Sequence, residues 1–258
     1  MTLQIGVQVT PQHADFHQMR NAWVEADELG ADMIFTWDHF YPLSGEPDGK
    51  HFEGLTSLMA LAEATERAQI GGLVFCNSYR NPEYLADAHR TIDHASGGRV
   101  IFGIGAGWFE RDYDEFGYEF GEARDRLASL KTNLPRMKER LGKGNPLPVR
   151  DIPFLIGGSG PKVTLRLVAE HAKYWHGFGS VEDYKTKSQV LAEHCEKAGR
   201  DPSDVTHTWG LFASNLDSAE GLVEAGVEVI TVAISGDTGY DLGPVREMLE
   251  FRNAVNAA

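Results

Sequence analysis

A tryptophan, a carboxylate and an imidazole follow one another where a predicted strand ends, as Trp37, Asp38 and His39. An imidazole exchanges protons near neutral pH, so His39 is our candidate for proton transfer. Asp38 could fix the tautomer of a neighbouring imidazole or accept a hydrogen bond from a ligand. The segment therefore predicts an acid–base site in which His39 and Asp38 are the catalytic residues.

Three glycines recur at every second position of a buried apolar run, as Gly103, Gly105 and Gly107. On a strand, this period places all three on one face. Glycine weakens a strand by roughly 0.5–1 kcal/mol relative to alanine, so the pattern predicts that another group approaches this backbone closely. We expect that group to be a planar ligand with the indole of Trp108 beside it. Tight packing inside a barrel is the alternative.

A glycine-rich turn, Gly157, Gly158, Ser159 and Gly160, opens into a predicted helix at Lys162. Backbone amides at the start of a helix, aided by the helix dipole and a serine hydroxyl, form a site suited to phosphate. A tight turn between a strand and a helix would explain the same glycines. The pattern indicates a phosphate-binding turn.

Other polar and aromatic side chains also lie at or near the ends of predicted strands. Nothing near Cys76 in the sequence lowers the pKa of its thiol, so we expect a small buried or ligand-facing residue rather than a nucleophile. Phe178 adds a ring to the rim, and His176 is expected to be packed or hydrogen-bonded inside a strand. The charged residues 110–112 begin a helix that we expect to face solvent. The 10 histidines lack the spacing of a metal site, so no metal is predicted.

Short apolar runs alternate with amphipathic stretches about eight times along the chain. The predicted strands cover residues 3–9, 32–36, 69–75, 100–105, 153–156, 174–177, 205–211 and 227–233. The predicted helices cover residues 15–29, 56–65, 82–95, 122–141, 162–170, 181–198, 218–225 and 243–255. Strict alternation indicates a parallel sheet, and eight units favour an α/β fold of the closed (β/α)8 TIM barrel type. Active sites of such barrels lie where the strands end, which is where the candidate residues fall.

The composition narrows the class of protein. The 258 residues match the usual size of one α/β barrel, and we expect a single domain over residues 1–258. A formal net charge of −14 argues against nucleic acid or anionic membrane as a partner. The sequence shows no leader-like amino-terminal segment, no apolar run long enough to span a membrane and only two distant cysteines. We therefore expect a cytoplasmic protein that acts on a small molecule.

Four motifs, in order, resemble those of the luciferase-like flavin and deazaflavin oxidoreductases. They are Trp37-Asp38-His39, Tyr79-Arg80-Asn81-Pro82, the segment 98–108 and the turn 156–160 with the helix after it. The resemblance runs across nearly the whole chain and is greatest to the branch that depends on coenzyme F420. It implies a luciferase-like TIM barrel that binds the deazaflavin ring at the barrel mouth and the cofactor's phosphate near the turn.

The resemblance also implies roles for individual residues. A cis non-prolyl peptide bond would fall around Gly72, Leu73 and Val74, behind the ring. Asp38 and His39 match the polar pair that faces the deazaflavin and the substrate. The implied cofactor-binding residues are Asp38, Leu73, Val74, Cys76, Gly105, Gly107, Trp108, Gly157, Gly158, Ser159, Gly160 and Phe178. A homodimer is implied as well.

Two departures from the family limit what can be carried over. Trp108 stands where a sugar-phosphate dehydrogenase of the family has a catalytic glutamate, so we do not transfer that enzyme's substrate or acid–base scheme. The region 122–153 is shorter than in many relatives, which could leave the pocket more open. Hydride transfer between F420 and a small organic substrate is our leading interpretation. An FMN-dependent monooxygenase is the first alternative, and a protein that binds F420 or a flavin with little turnover is the second alternative.

Overall fold

A computed structural model describes residues 2–258, in which parallel strands close into a barrel. The strands are β1 (Gln4–Val9), β2 (Met33–Thr36), β3 (Gln69–Gly72), β4 (Phe75–Cys76), β5 (Val100–Gly105), β6 (Phe154–Gly157), β7 (Tyr174–Phe178), β8 (Thr206–Leu211) and β9 (Val229–Ile234). Their order is β3-β2-β1-β9-β8-β7-β6-β5-β4, and β3 also pairs with β5. Because β3 and β4 are two halves of one barrel strand, the barrel has eight strands, which confirms the predicted fold class.

The helices of the described chain cover the outside of this barrel. They are α1 (Phe16–Leu29), α2 (Gly54–Ala64), α3 (Pro82–Ala95), α4 (Glu110–Phe116), α5 (Ala123–Leu141), α6 (Thr164–His171), α7 (Val181–Lys197), α8 (Ala219–Ala225) and α9 (Gly243–Ala257). The start of α3 follows its sequence signals, since the Asn81 side chain accepts a hydrogen bond from the Tyr84 amide and Pro82 lies in the first turn. Helix α6 begins two residues later than predicted, because a turn occupies residues 161–163.

Alternate residues of each strand face two different cores. On β2, Met33 and Phe35 belong to the cluster inside the barrel, whereas Ile34 packs against the helices. Leu155 on β6 and Tyr174 on β7 complete the inner cluster with residues of the other strands. Strand side chains alternate with a period of two, so His176, two residues after Tyr174 on β7, also faces the inside of the barrel. It lies nearer the carboxyl end of the strand.

The chain itself makes the close approach predicted at the glycine run, which agrees with the alternative of tight packing inside the barrel. Contact of a ligand with Gly105 and Gly107 stays a prediction. A Cβ atom at Gly103 would lie 1.8 Å from the carbonyl oxygen of Gly72, and one at Gly105 would lie 2.7 Å from the Val74 side chain. The chain between β3 and β4, residues 73 and 74, forms a bulge that fills the space beside these glycines. The peptide bond between Leu73 and Val74 is cis, which confirms what the resemblance implied.

Candidate active site

The imidazole of His39 lies just after β2, at the carboxyl end of the barrel, and a buried carboxylate holds it. His39 Nδ1 lies 2.7 Å from Asp112 Oδ2, and the Asp112 side chain is fully buried. Asp112 also accepts hydrogen bonds from the Tyr79 hydroxyl at 2.9 Å and the Phe40 amide at 3.1 Å. An ionised carboxylate can only accept, so we infer that Nδ1 carries the proton and that Nε2 is a free acceptor. This arrangement prepares His39 to take a proton.

Asp112 is the functional residue that the sequence did not reveal, and the expectation that residues 110–112 face solvent is wrong for it. Glu110 and Asp112 both lie in the first turn of α4, but Glu110 is exposed whereas Asp112 is buried and accepts a hydrogen bond from the Phe40 amide, just after β2. Asp112 is one of four acidic residues in α4, and nothing in the sequence marks which of them has a buried partner. The only available signal was its place in the first turn after β5, at the end of the barrel where active sites lie.

Asp38 is committed to a different network. Its two carboxylate oxygens accept hydrogen bonds from Arg80 at 2.7 and 2.8 Å, and Oδ2 also accepts one from the Cys76 amide at 2.9 Å. Glu53 is a second carboxylate partner of Arg80. Burial acts against the charge of Arg80, but the two carboxylates outweigh it and raise the pKa of the guanidinium. Asp38 therefore ties the end of β2 to β4, and the tautomer-fixing role considered for it belongs to Asp112.

Cys76 and Gly107 pack beneath the rim of the barrel. The Cys76 Sγ atom lies 3.2 Å from the Tyr113 hydroxyl, and burial raises the pKa of this thiol to about 11. A Cβ atom at Gly107 would lie 2.0 Å from the same hydroxyl, so only glycine fits there. The neutral thiol agrees with the expectation that Cys76 is not a nucleophile.

Three aromatic rings surround the imidazole of His39. Trp37, Trp108 and Phe109 stand edge-on to it at centroid distances of 5.7, 5.9 and 5.5 Å. The His39 side chain keeps an exposed fraction of only 12%, so little water reaches it. We call Trp37, Trp108 and Phe109 the aromatic wall. A proton acceptor with apolar surroundings on several sides suits a substrate that presents one polar atom to Nε2.

An apolar floor and exposed rings lie at the same end of the barrel. Leu73 is buried and Val74 is half-buried on the bulge, and a Cβ atom at Gly157 would lie 2.9 Å from Val74. Trp108, Phe178 and Phe212 follow or end β5, β7 and β8, with exposed fractions of 63%, 71% and 55%. Single exposed aromatic residues are ordinary, but three around one barrel mouth indicate a surface for a planar ligand. Phe212 was not predicted.

The glycine-rich turn after β6 presents free backbone amides. Gly158 has a φ of 118°, and its carbonyl oxygen accepts a hydrogen bond of 2.9 Å from Trp175 Nε1. Within the described residues, the amides of Ser159, Gly160 and Lys162 donate to no protein acceptor. Such unpaired amides form an anion site near the start of a helix.

Two further histidines near the barrel mouth are neutral. His176 Nδ1 lies 2.9 Å from the Thr208 hydroxyl, and burial lowers the pKa of His176 to about 4, which confirms the expected hydrogen-bonded strand residue. His51 Nε2 accepts a hydrogen bond of 2.9 Å from Trp37 Nε1, and burial lowers its pKa to about 4 as well. His51 therefore supports the aromatic wall by fixing one of its rings.

A cavity of about 630 Å³ lies at the opposite end of the barrel, where β6 begins, and none of the predicted site residues line it. The aromatic wall, the floor and the turn instead meet at the carboxyl end, where we place the site. In residues 2–258 we find no group of three or more His, Cys, Asp or Glu side chains arranged to hold a metal ion. No helix there has both the length and the apolar composition needed to cross a membrane.

A sequence model of one protein family matches residues 1–235, and that family is described as luciferase-like monooxygenase. The chain belongs to the luciferase-like monooxygenase family. The match covers every strand of the barrel, β1 to β9, and all the residues of the candidate site.

Among curated members, the chain is similar to the F420-dependent glucose-6-phosphate dehydrogenase of Amycolatopsis mediterranei (strain U-32). The two are 32% identical over 139 residues, which is 53% of this chain and 41% of that enzyme. The enzyme of the same name from Microbacterium testaceum (strain StLB037) is 29% identical over 224 residues, 79% of this chain and 66% of that enzyme. The aligned part of the chain thus spans between two fifths and two thirds of these relatives.

The fold is also that of a solved F420-dependent secondary alcohol dehydrogenase in complex with an F420–acetone adduct. The TM-score is 0.83 at 16% sequence identity, over 95% of this chain and 98% of that one. At this identity the likeness establishes the shared fold and nothing about substrate.

Proposed function

We propose that this protein is a coenzyme F420-dependent oxidoreductase that transfers a hydride between the deazaflavin and a small organic substrate. The observation that carries the proposal is the similarity, over 79% of the chain, to an enzyme named as an F420-dependent dehydrogenase. The barrel mouth supports it, because an acid–base residue, an apolar floor and an anion-binding turn lie at one end of one barrel.

The side chains at the mouth fit a deazaflavin. Leu73 and Val74 on the bulge would lie behind the planar ring, with Trp108 and Phe178 on the rim around it. The half-buried Gly157 leaves room beside Val74, and the turn amides would hold the phosphate. The bound deazaflavin would supply a ring carbon that accepts or gives a hydride.

The protein's own part in the reaction is to orient the substrate and move one proton. His39 Nε2 accepts the proton of a substrate hydroxyl during oxidation and returns it in the reverse direction. The Asp112 carboxylate holds Nδ1 and stabilises the imidazolium that forms. Asp38 acts indirectly, since with Arg80 it fixes the backbone at Cys76 and hence the end of the bulge.

An FMN-dependent monooxygenase is the second candidate, because the matching family model is described as a monooxygenase. The same floor and phosphate turn would hold FMN. A protein that binds a cofactor with little turnover is the third. In that case, replacing His39 by asparagine would leave the low turnover unchanged.

Titration of the purified apoprotein with F420 and with FMN, followed by tryptophan fluorescence, tests the proposal. Trp108 is 63% exposed at the mouth and is the expected reporter, so the Trp108→Phe variant should lose much of the quenching. Binding of F420 at micromolar concentration or below, without comparable binding of FMN, supports the proposal. Binding of FMN alone, or of neither cofactor, refutes it.

We further propose that residues 1–258 act as one barrel unit, that the protein is cytoplasmic and that it forms a homodimer. The acidic composition and two unpaired, buried cysteines are compatible with a reducing compartment. Sedimentation velocity of the purified protein decides the oligomeric state, and a single species of 28.5 kDa would contradict the dimer.

A further inference from the structure

Most of the positive charges near the barrel mouth are paired with carboxylates within the protein. In the segments that lead from a strand end to the next helix, including α4 and the start of α5, the cationic side chains are Lys50, Arg80, Arg111, Arg124, Arg126 and Lys162. Lys50, Arg80, Arg111 and Arg124 each pair with a carboxylate. Arg126 donates to three backbone carbonyls.

Arg126 and Lys162 are the two cations of this set without a carboxylate partner among the described residues. Arg126 is held by its three carbonyl acceptors and lies 3.9 Å from the centroid of the Phe120 ring. Lys162 follows the turn that we assign to the cofactor's phosphate, so it is not free for a substrate. Moving Arg80 toward a substrate would leave the buried Asp38 without its cation. Losing one partner of a buried ion pair is strongly destabilising, so this exchange is unfavourable.

Three amide side chains near the mouth are engaged in hydrogen bonds within the protein as well. Gln12 accepts a hydrogen bond from the Leu43 amide and donates one to the Ser44 hydroxyl, each at 3.0 Å. Gln8 donates to the Leu73 carbonyl at 2.8 Å, and Asn77 donates to the Ser129 hydroxyl. These three amide side chains are therefore already in use within the protein.

What remains open at His39 is its Nε2 atom and the aromatic wall around it. We infer that this mouth takes a small, uncharged, mostly apolar alcohol, or the ketone or aldehyde formed from it, rather than a sugar phosphate. This inference rests on the proposed function. It separates the chain from the relatives named for glucose 6-phosphate, because an anionic substrate here would have to draw Arg126 away from three backbone carbonyls or Lys162 away from the cofactor's phosphate.

The oxidation of such an alcohol balances with the groups named. The carbinol carbon gives up a hydride, which the oxidised deazaflavin accepts together with its two electrons. The hydroxyl proton passes to His39 Nε2, and the carbon–oxygen bond becomes a double bond. The products are the carbonyl compound, the reduced cofactor and a proton, which the imidazole then releases to solvent.

A matched pair of compounds tests the inference. Cyclohexanol and 4-hydroxycyclohexanecarboxylate differ by one charged group, and glucose 6-phosphate is the third compound. Calorimetric titration of each into the F420-loaded protein measures affinity without requiring turnover, and F420 reduction at 420 nm gives kcat/KM. We expect the carboxylate to bind roughly 100-fold more weakly than the alcohol, since an unpaired charge loses its hydration at the wall. Glucose 6-phosphate should bind about as weakly as the carboxylate.

Two variants locate the discrimination. Trp108→Arg places a cation in the aromatic wall. It should reduce the ratio of the affinity for cyclohexanol to that for 4-hydroxycyclohexanecarboxylate by at least about tenfold. Leu147→Arg adds the same charge at an exposed residue beside the cavity at the other end, and should leave the ratio unchanged. An unchanged ratio in Trp108→Arg, with F420 still bound, would overturn the assignment of the wall.

The outcomes separate this inference from the proposed function. If F420 binds and glucose 6-phosphate or the carboxylate binds as well as cyclohexanol, the inference is overturned and the proposed function stands. If F420 does not bind, the proposed function fails and the inference fails with it. If F420 binds and the neutral alcohol is preferred, both are supported.

Discussion

Replacing Asp112 by asparagine tests whether the buried carboxylate sets the protonation of His39. In the native protein Asp112 Oδ1 accepts from the Phe40 amide, while Oδ2 accepts from Tyr79 and from His39 Nδ1. The Phe40 amide would keep an oxygen on its side, so the new NH2 group would face His39. Because that group donates, the imidazole must present an unprotonated Nδ1 and carry its proton on Nε2.

An imidazole that is already protonated at Nε2 cannot take the substrate's proton. General acid–base catalysis contributes about 10²–10⁴ in rate, so kcat for alcohol oxidation should fall by that factor. The Tyr79 hydroxyl would lose its acceptor, which costs roughly 1–3 kcal/mol of unfolding free energy. The Kd for F420 should stay within about twofold of the native value, because Asp112 is buried behind His39 and away from the assigned cofactor surface.

Nitrogen-15 NMR of the imidazole gives a readout that does not depend on turnover. We expect the neutral ring of His39 to be protonated on Nδ1 in the native protein and on Nε2 in Asp112→Asn. Asp114→Asn is the matched control, since Asp114 is exposed on the same helix. Protonation on Nε2 in the native protein, or turnover of Asp112→Asn within twofold of native, would refute the reasoning.

Three further predictions concern stability, each measured by urea unfolding. Arg80→Met should destabilise the fold by about 3–5 kcal/mol, because the buried Asp38 loses its cation. Gly103→Ala should cost at least about 1–3 kcal/mol, since the new Cβ would lie 1.8 Å from the carbonyl of Gly72. The neutral His176, whose pKa burial lowers to about 4, should make unfolding free energy fall between pH 6.5 and 4 by roughly 3 kcal/mol, because the unfolded chain binds the proton first. His176→Asn should remove that part of the pH dependence.

Matched variants give each of these predictions its control. Arg20→Met removes an exposed cation and should change stability by less than about 0.5 kcal/mol. Gly142→Ala, where the nearest atom would be 3.6 Å away, should be nearly neutral. His17→Asn removes an exposed histidine and should leave the pH dependence intact. A loss of stability in a control equal to that in its partner would contradict the corresponding argument.

The barrel could be read from the sequence because its signal is local and repeated. Alternating runs at the strand period and the helix period recur along the whole chain, and cap signals such as Asn81 and Gly30 mark helix ends. The fold is then fixed by the order of elements. For α4 the sequence indicated only a charged first turn, because a helix of seven residues is too short to show the helical period of apolar residues.

The site was predicted less well because its partners are distant in sequence. His39 was found from its place at a strand end, but nothing local distinguishes Asp38, 1 residue away, from Asp112, 73 residues away, as the acceptor. Asp38 pairs with Arg80, which leaves Asp112 as the partner of His39. This pairing depends on tertiary structure, and the local sequence does not show it. Sequence position selects the end of the barrel, and packing selects the partner.

At the glycine run, the sequence indicated that another group approaches the backbone but not which group it is. A backbone without side chains at Gly103 and Gly105 does receive another group, but that group is the bulge carrying Val74. The glycines allow the Val74 side chain to lie across β5 and β6, and under the proposed function they would affect the cofactor through Val74. Enlarging Gly105 should then change cofactor affinity by displacing the floor, even though no glycine atom need touch the cofactor. A Gly105→Ala variant that folds but keeps native F420 affinity would contradict this indirect role.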